Sequence, residues 1–175
     1  MTDIKVDLLK YHKEHIKVLA RWLYNEFARE NENLDFFEAL LENGAGDASL
    51  PKSFIAFADN KPAGCVCLWR SDLMTRQDIY PWLAVLFVTP EFRGLHVGRE
   101  LQNRLLVYAK NVGYDEVYLY TDLDNYYEKT GWSFAGYGIE SDGSSKKLYK
   151  YNLGKMSPAF IAACLLGGGG HLSVQ

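Results

Sequence analysis

Arg93-Gly94-Leu95-His96-Val97-Gly98 sets a guanidinium, an imidazole and two glycines within one short stretch. An unbroken apolar run, Leu83-Ala84-Val85-Leu86-Phe87-Val88, leads into it, and Thr89-Pro90 ends that run. From Val97 onward apolar residues recur at Leu101, Leu105, Tyr108 and Val112, the spacing of one helical face. Strand, glycine-bearing turn and helix in this order aim the amides of the turn and of the first helical turn at one spot. Together with the positive end of the helix dipole and Arg93, those amides make an anion site, most naturally for a phosphate.

The elements that must hold this site can be read on either side of it. Leu83–Val88 has the pattern of a strand buried on both faces, and Pro90 stops it because proline offers no amide hydrogen to a ladder. Ile4–Leu9 reads as a first strand. Ile16, Leu19, Leu23 and Phe27 form a stripe on a helix from His15 to Arg29. Phe37, Leu40 and Leu41 share a face of a second helix, Leu34 to Asn43, closed by Gly44. Ser53–Ala58 and Ala63–Trp69 flank Asp59-Asn60-Lys61-Pro62, a junction dense in turn formers, which predicts a β-hairpin. Arg70–Tyr80 has no period and reads as a loop. Val117–Thr121 is a short strand after the central helix, so strand–helix–strand predicts a right-handed parallel crossover to Leu83–Val88. Asp124–Thr130 supports no more than a short helix, and Trp132–Tyr137 and Lys146–Asn152 are two last strands around the turn Glu140–Ser144. The fold class expected is α/β (α+β): one domain over residues 1–153, with a mixed sheet of about six to seven strands flanked by helices.

Composition narrows the class of function. The 175 residues are enough for one domain with a real core, and 48% apolar with 23% charged residues is ordinary for a globular chain. A net charge of −3 argues against a nucleic-acid partner, which calls for a basic face. Three cysteines without framework spacing fit a reducing compartment. The charged N-terminus has no apolar signal core, and no segment reaches the roughly 18 consecutive apolar residues of a membrane span. A cytoplasmic protein without a membrane partner is expected. Cys65 and Cys67 share a strand face with no histidine or further cysteine nearby in sequence, so they read as small buried residues rather than metal ligands.

At this point the chain resembles the GNAT superfamily of acetyl-CoA-dependent N-acetyltransferases. Two pieces carry the likeness. Val88-Thr89-Pro90-Glu91-Phe92-Arg93-Gly94-Leu95-His96-Val97-Gly98-Arg99-Glu100-Leu101 is similar to that family's pyrophosphate loop, Q/R-x-x-G-x-G/A, and Tyr127-Glu128-Lys129-Thr130-Gly131-Trp132 is similar to its Y-E-K-x-G-F/W segment. The order of elements from Ile4 to Asn152 matches as well. One departure stands in the loop: His96 occupies the place where the middle glycine is usual. A side chain there is expected to require a backbone that avoids φ > 0.

The resemblance implies acetyl-CoA as cosubstrate, without a metal, and direct transfer of its acetyl group to a primary amine of a small molecule or peptide in a ternary complex. It implies that Arg93, Gly94, Leu95, His96, Val97, Gly98 and Arg99 bind the pyrophosphate. Phe87 and Val88 would serve the pantetheine arm and the amide that polarises the thioester carbonyl. Tyr127 would be the general acid for the leaving thiolate, although a packed tyrosine is the plainer reading of that residue, and Tyr126 is its neighbour. The glutamate that some members carry on the central strand falls at Trp82, which accepts no proton. Glu26, Asp72, Asp78 or a water chain are the remaining bases. The acidic cluster Glu26, Glu30, Glu32 and Asp35 favours a cationic amine. The alternative reading, kept open by His96 and the missing glutamate, is a non-catalytic acyl-CoA-binding or regulatory module. Residues 154–175 form a tail, an apolar patch (Ser157–Leu166) followed by the flexible tetraglycine Gly167–Gly170. That patch is open to three arrangements: against a neighbouring subunit in a homodimer, against its own domain, or unfolded.

Overall fold

The computed structural model of the chain describes residues 1–167. Among them are seven strands and four α-helices, in the order β1 (Ile4–Leu8), α1 (Ile16–Phe27), α2 (Leu34–Gly44), β2 (Lys52–Ala58), β3 (Lys61–Trp69), β4 (Trp82–Val88), α3 (Val97–Asn111), β5 (Glu116–Thr121), β6 (Ser133–Ile139), β7 (Ser145–Asn152) and α4 (Pro158–Gly167). The strands make one sheet in the order β1-β2-β3-β4-β5-β7-β6. Every neighbouring pair is antiparallel except β4 and β5, which are parallel as the crossover through α3 requires. The hairpin between β2 and β3 turns on Asp59 and Asn60, both at positive φ (48° and 65°), the conformation of a two-residue primed turn.

Helices cover both faces of the sheet. Ile16, Leu19, Ala20 and Leu23 of α1 and Phe37 and Leu41 of α2 pack with Ile55, Cys65, Cys67 and Phe87 on one side. The opposite face receives α3. Of its expected stripe, Val97, Leu101, Leu105 and Tyr108 are buried, whereas Val112 is exposed as the cap just past the helix end; Gln102, Arg104, Leu106, Val107 and Ala109 are buried as well. Two neighbours add to this burial: the segment that carries Trp132, which bonds Gln102, and α4, whose Phe160, Ile161, Cys164 and Leu165 pack against the cluster that contains α3. Part of the apolar tail thus packs on its own domain, while Leu166 stays exposed. The tetraglycine, from residue 168, lies outside the described residues. Between β5 and β6 the chain forms only a 3-10 turn, Glu128–Thr130, closed by Gly131 at φ 95°.

The feature that positions the site is the parting of β4 from β5. The two strands share a single bridge, Trp82 opposite Tyr118. Along β4 the pairing with β3 skips: Cys67 faces Ala84 and Cys65 faces Phe87, so β4 carries one extra residue there. This is a β-bulge, and Val85 within it is held at φ 48°, a strained setting for a β-branched side chain. Bulges bend the strand that bears them, and this one lies in the part of β4 that has already left β5. The β4 backbone past Trp82 therefore has no ladder partner on the β5 side.

Candidate active site

The parted strands open a cleft of about 730 Å³. Leu83, Ala84, Val85 and Leu86 of β4 line one wall and Leu119, Tyr120 and Thr121 of β5 the other. Glu26, Phe27, Arg29, Glu32 and Phe36 close it from the helical side, while Asp72, Asp122 and Tyr127 come from loops. Four carboxylates face one guanidinium, and that guanidinium is engaged: Arg29 Nη2 donates to Glu140 Oε1 at 2.9 Å and lies 3.4 Å from the Tyr120 hydroxyl. The cleft is therefore net acidic, with an apolar rim from Phe27, Phe36 and Met74. Its volume suits a small ligand.

At the end of β4 lies the anion loop. Arg93 Nε donates to the carbonyl of Val88 at 3.0 Å, and its guanidinium stands 5.9 Å from the Phe87 ring centroid, which fixes the loop to the strand and leaves other guanidinium donors facing outward. Gly94 sits at φ 79°, open to glycine without strain. His96 caps α3 at φ 67°, ψ 7°, with no side-chain cap bond to the helix amides. The expectation that a residue there avoids positive φ is thus corrected: the loop keeps the left-handed turn of a glycine and places a histidine in it, one of the few residue types enriched in that region. The first amides of α3 have no intrahelical acceptor, as at any helix start. A Cβ on Gly98 would stand 3.6 Å from both the Tyr126 hydroxyl and Val88 Cγ2, so the missing side chain keeps the floor of the loop low. Free amides, two exposed arginines and a low floor fit a pyrophosphate.

Each expected site residue can now be placed. Arg93, Gly94, Leu95, His96, Val97, Gly98 and Arg99 form the loop and first turn of α3 together, with Val97 buried as its anchor. Phe87 and Val88 end β4: Phe87 is buried against Trp22, at 5.7 Å between centroids, and the cleft wall itself is formed by the preceding Leu83–Leu86. Tyr127 lines the cleft and is otherwise packed against Trp132 and Tyr149. Burial, then the neighbouring Tyr126 and the charge of Asp72, hold its hydroxyl well above the ordinary tyrosine value, so it stays protonated. Tyr126 is exposed and sits over Gly98 instead. Glu26 lies on the exposed rim. Asp78 is not in the cleft wall. It forms a bidentate pair with Arg76, both contacts at 2.8 Å, which holds its carboxyl below the ordinary range and makes it a poor base. Trp82 is fully buried and donates from Nε1 to the Ile79 carbonyl at 2.9 Å. Cys65 and Cys67 are buried, with burial pushing the Cys67 thiol up to about 12. Of the acidic cluster, Glu26 and Glu32 reach the cleft and Glu30 and Asp35 do not.

Sequence reasoning missed Arg29, Tyr120, Asp122 and Glu140. None stands in a motif, and only the folding of the β6–β7 turn and the strand ends toward α1 brings them together.

Comparison with known proteins agrees with this geometry. The profile of the acetyltransferase (GNAT) family matches residues 17–132. An uncharacterized N-acetyltransferase of Methanocaldococcus jannaschii is 31% identical over 127 residues, which cover 70% of this chain and 48% of that protein; the chain thus spans about half the length of the curated relative it matches. Among solved structures, an aminoglycoside 6'-N-acetyltransferase complexed with coenzyme A superposes with a TM-score of 0.67 at 16% identity, covering 85% of this chain and 96% of its own. A variant of the spermidine N-acetyltransferase of Vibrio cholerae superposes at 0.66 and 18%, covering 87% and 95%. At these identities the superpositions speak for the fold. No helix among the described residues is long and apolar enough to cross a membrane. With the family profile spanning most of the chain, the parted strands and the loop at the head of α3 have their explanation: the protein belongs to the GNAT family of acetyltransferases.

Proposed function

We propose that the chain transfers an acetyl group from acetyl-CoA to a primary amine of a small cationic acceptor. The observation that carries this reading is the acidic cleft between β4 and β5, with the anion loop at one end and Tyr127 within it. Acetyl-CoA supplies the activated acyl group as a thioester. The loop Arg93–Arg99 holds its pyrophosphate, and the unpaired edge of β4 offers backbone groups to the pantetheine arm. An amide at or just after the bulge polarises the thioester carbonyl. Tyr127, protonated at neutral pH, gives its proton to the leaving sulfur. Glu26, Glu32, Asp72 and Asp122 attract a cation, while Phe27, Phe36 and Met74 provide apolar surface for its carbon chain.

The test is turnover of acetyl-CoA against a panel of polyamines, aminoglycosides, amino acids and peptide N-termini, beside calorimetry with acetyl-CoA alone. Turnover of at least one cationic member is expected. Glu26→Gln with Glu32→Gln should raise the KM for that amine, and Glu30→Gln should leave it unchanged. Binding of acetyl-CoA without turnover of any amine would instead favour a non-catalytic acyl-CoA-binding module. Absence of both would remove either reading.

A further inference from the structure

We infer that Asp72 is the group that takes the proton from the acceptor's ammonium, an assignment that rests on the acetyl-transfer reading above. The loop between β3 and β4 crosses beside β5 and β7 and is clamped just beyond this residue. Leu73 is buried with Trp82 and Leu148, in the space left by Gly138, where an added Cβ would collide with Leu73 Cδ2. Thr75 Oγ1 donates to the Ile139 carbonyl at 2.6 Å and lies 3.3 Å from the Ile139 amide. Held in this way, half-buried Asp72 lines the same cleft as Tyr127.

The groups that face Asp72 come from four directions. Arg29 follows α1, Glu140 follows β6, Tyr120 lies on β5 with Tyr127 beyond it, and Cys67 is on β3. The two tyrosines and the thiol all have raised proton affinity and are neutral near pH 7. Only Arg29 and Glu140 are charged, and they are paired with each other at 2.9 Å. Asp72 receives no hydrogen bond or ion pair among the described residues. Burial first, then the charge of Glu140, push its carboxyl up to about 7, and Arg29 offsets this only in part. A carboxylate of this kind is a far better proton acceptor than an ordinary one and is still ionised in useful amount at neutral pH. The other acids of the site are committed or wet. Glu32 accepts from the Arg29 amide at 3.0 Å, Asp122 pairs with Lys146 at 2.6 Å, and Glu26 is exposed.

The proton balance then closes. The bound ammonium loses one proton to Asp72, which passes it to water. The neutral amine attacks the thioester carbon, the C–N bond forms and the C–S bond breaks. The sulfur takes the phenolic proton of Tyr127, and the second proton leaves the nitrogen and returns to the Tyr127 phenolate, so the products are the neutral amide, the coenzyme A thiol and a reprotonated Tyr127.

The experiment is the pH profile of kcat/KM for the amine found by the panel. The wild type should show an acidic limb with its midpoint near pH 7, and Asp72→Asn should lose that limb and fall about 10²–10⁴-fold at neutral pH. Its calorimetric affinity for acetyl-CoA should be unchanged, and Asp72→Glu should restore part of the rate together with the limb. Wild-type turnover and an intact limb in Asp72→Asn would overturn this assignment and leave the transfer reading standing. A wild type that binds acetyl-CoA but turns over no amine would overturn the transfer reading, and the assignment with it. Should Asp72→Asn fail to fold, carbon-detected NMR titration of the intact protein decides: an Asp72 midpoint at the ordinary value of about 4 overturns the proposal, and one near neutrality supports it.

Discussion

The indole Nε1 of Trp132 donates a 3.1 Å hydrogen bond to Oε1 of Gln102 in the buried space between α3 and the segment that carries Tyr127. Thr130 Oγ1 shares the same acceptor at 3.4 Å. The helix that presents the anion loop and the turn that presents the phenol are thereby braced against one another. The two motifs apart in sequence form one rigid piece of the site. Replacing Gln102 by Leu leaves a buried indole N–H unpaired, a loss of about 1–3 kcal/mol. It also removes a buried amide nitrogen, Gln102 Nε2, that has no partner among the described residues. The net expectation is a destabilisation of about 1 kcal/mol in urea unfolding, with a fall in kcat larger than any change in acetyl-CoA affinity.

His96 holds a left-handed backbone that glycine adopts freely. His96→Gly should relieve that cost, partly offset by the added freedom of the unfolded chain, for a gain of about 0.5–1 kcal/mol. His96→Val should destabilise, since a β-branched side chain fits this region worst. Denaturant midpoints of the two variants check the sign, and acetyl-CoA affinity should not fall in the glycine variant.

Arg93 has two tasks, the 3.0 Å bond to the Val88 carbonyl and a charge for the pyrophosphate. Arg93→Ala should weaken acetyl-CoA binding at least about tenfold, equivalent to 1.4 kcal/mol. Arg93→Lys should recover only part of this, because a lysine keeps the charge but not the fork that serves both partners. Calorimetry at low and moderate salt separates the two contributions.

Tyr127→Phe should lower kcat about 10²-fold or more while acetyl-CoA affinity is retained, whereas Tyr126→Phe should leave kcat nearly intact. Because burial holds the Tyr127 hydroxyl above the ordinary value of about 10, no alkaline limb from this residue should appear near neutral pH. An unchanged rate in Tyr127→Phe would remove it as the acid and return it to the packed tyrosine of the plainer reading.

The raised proton affinity of Asp72 also has a cost in stability. Its folded pKa lies above that of the unfolded chain, so between about pH 4 and pH 7 the folded state holds the extra proton, and stability falls as pH rises through this window. Above it the penalty is complete, on the order of 4 kcal/mol at most. Asp72→Asn should therefore be more stable than the wild type at pH 8, and the difference should vanish near pH 4. Urea midpoints at the two pH values test this independently of catalysis.

The local chemistry of the chain determined much of this protein without help from the rest of the fold. The apolar run before Thr89-Pro90, the glycine-bearing turn and the helical spacing from Val97 place the anion loop, and Asp59-Asn60 makes the hairpin turn. Each depends on residues within a few positions of one another. What governs the cleft depends on distant partners, and only the tertiary structure decided it. The extra residue in β4 exists only relative to its pairing with β3, and the parting of β4 from β5 only relative to the single pair Trp82–Tyr118. Residues 29, 120 and 140 meet Asp72 across the sheet, and their pairing with each other leaves its carboxylate alone. The conformation of His96 follows the turn that α3 and β4 demand rather than the preference of its own side chain. The apolar tail packs as α4 because α3 still has an uncovered flank after meeting the sheet. Proton affinity, strain and docking are sums over neighbours in space, whereas periodicity reports only neighbours along the chain.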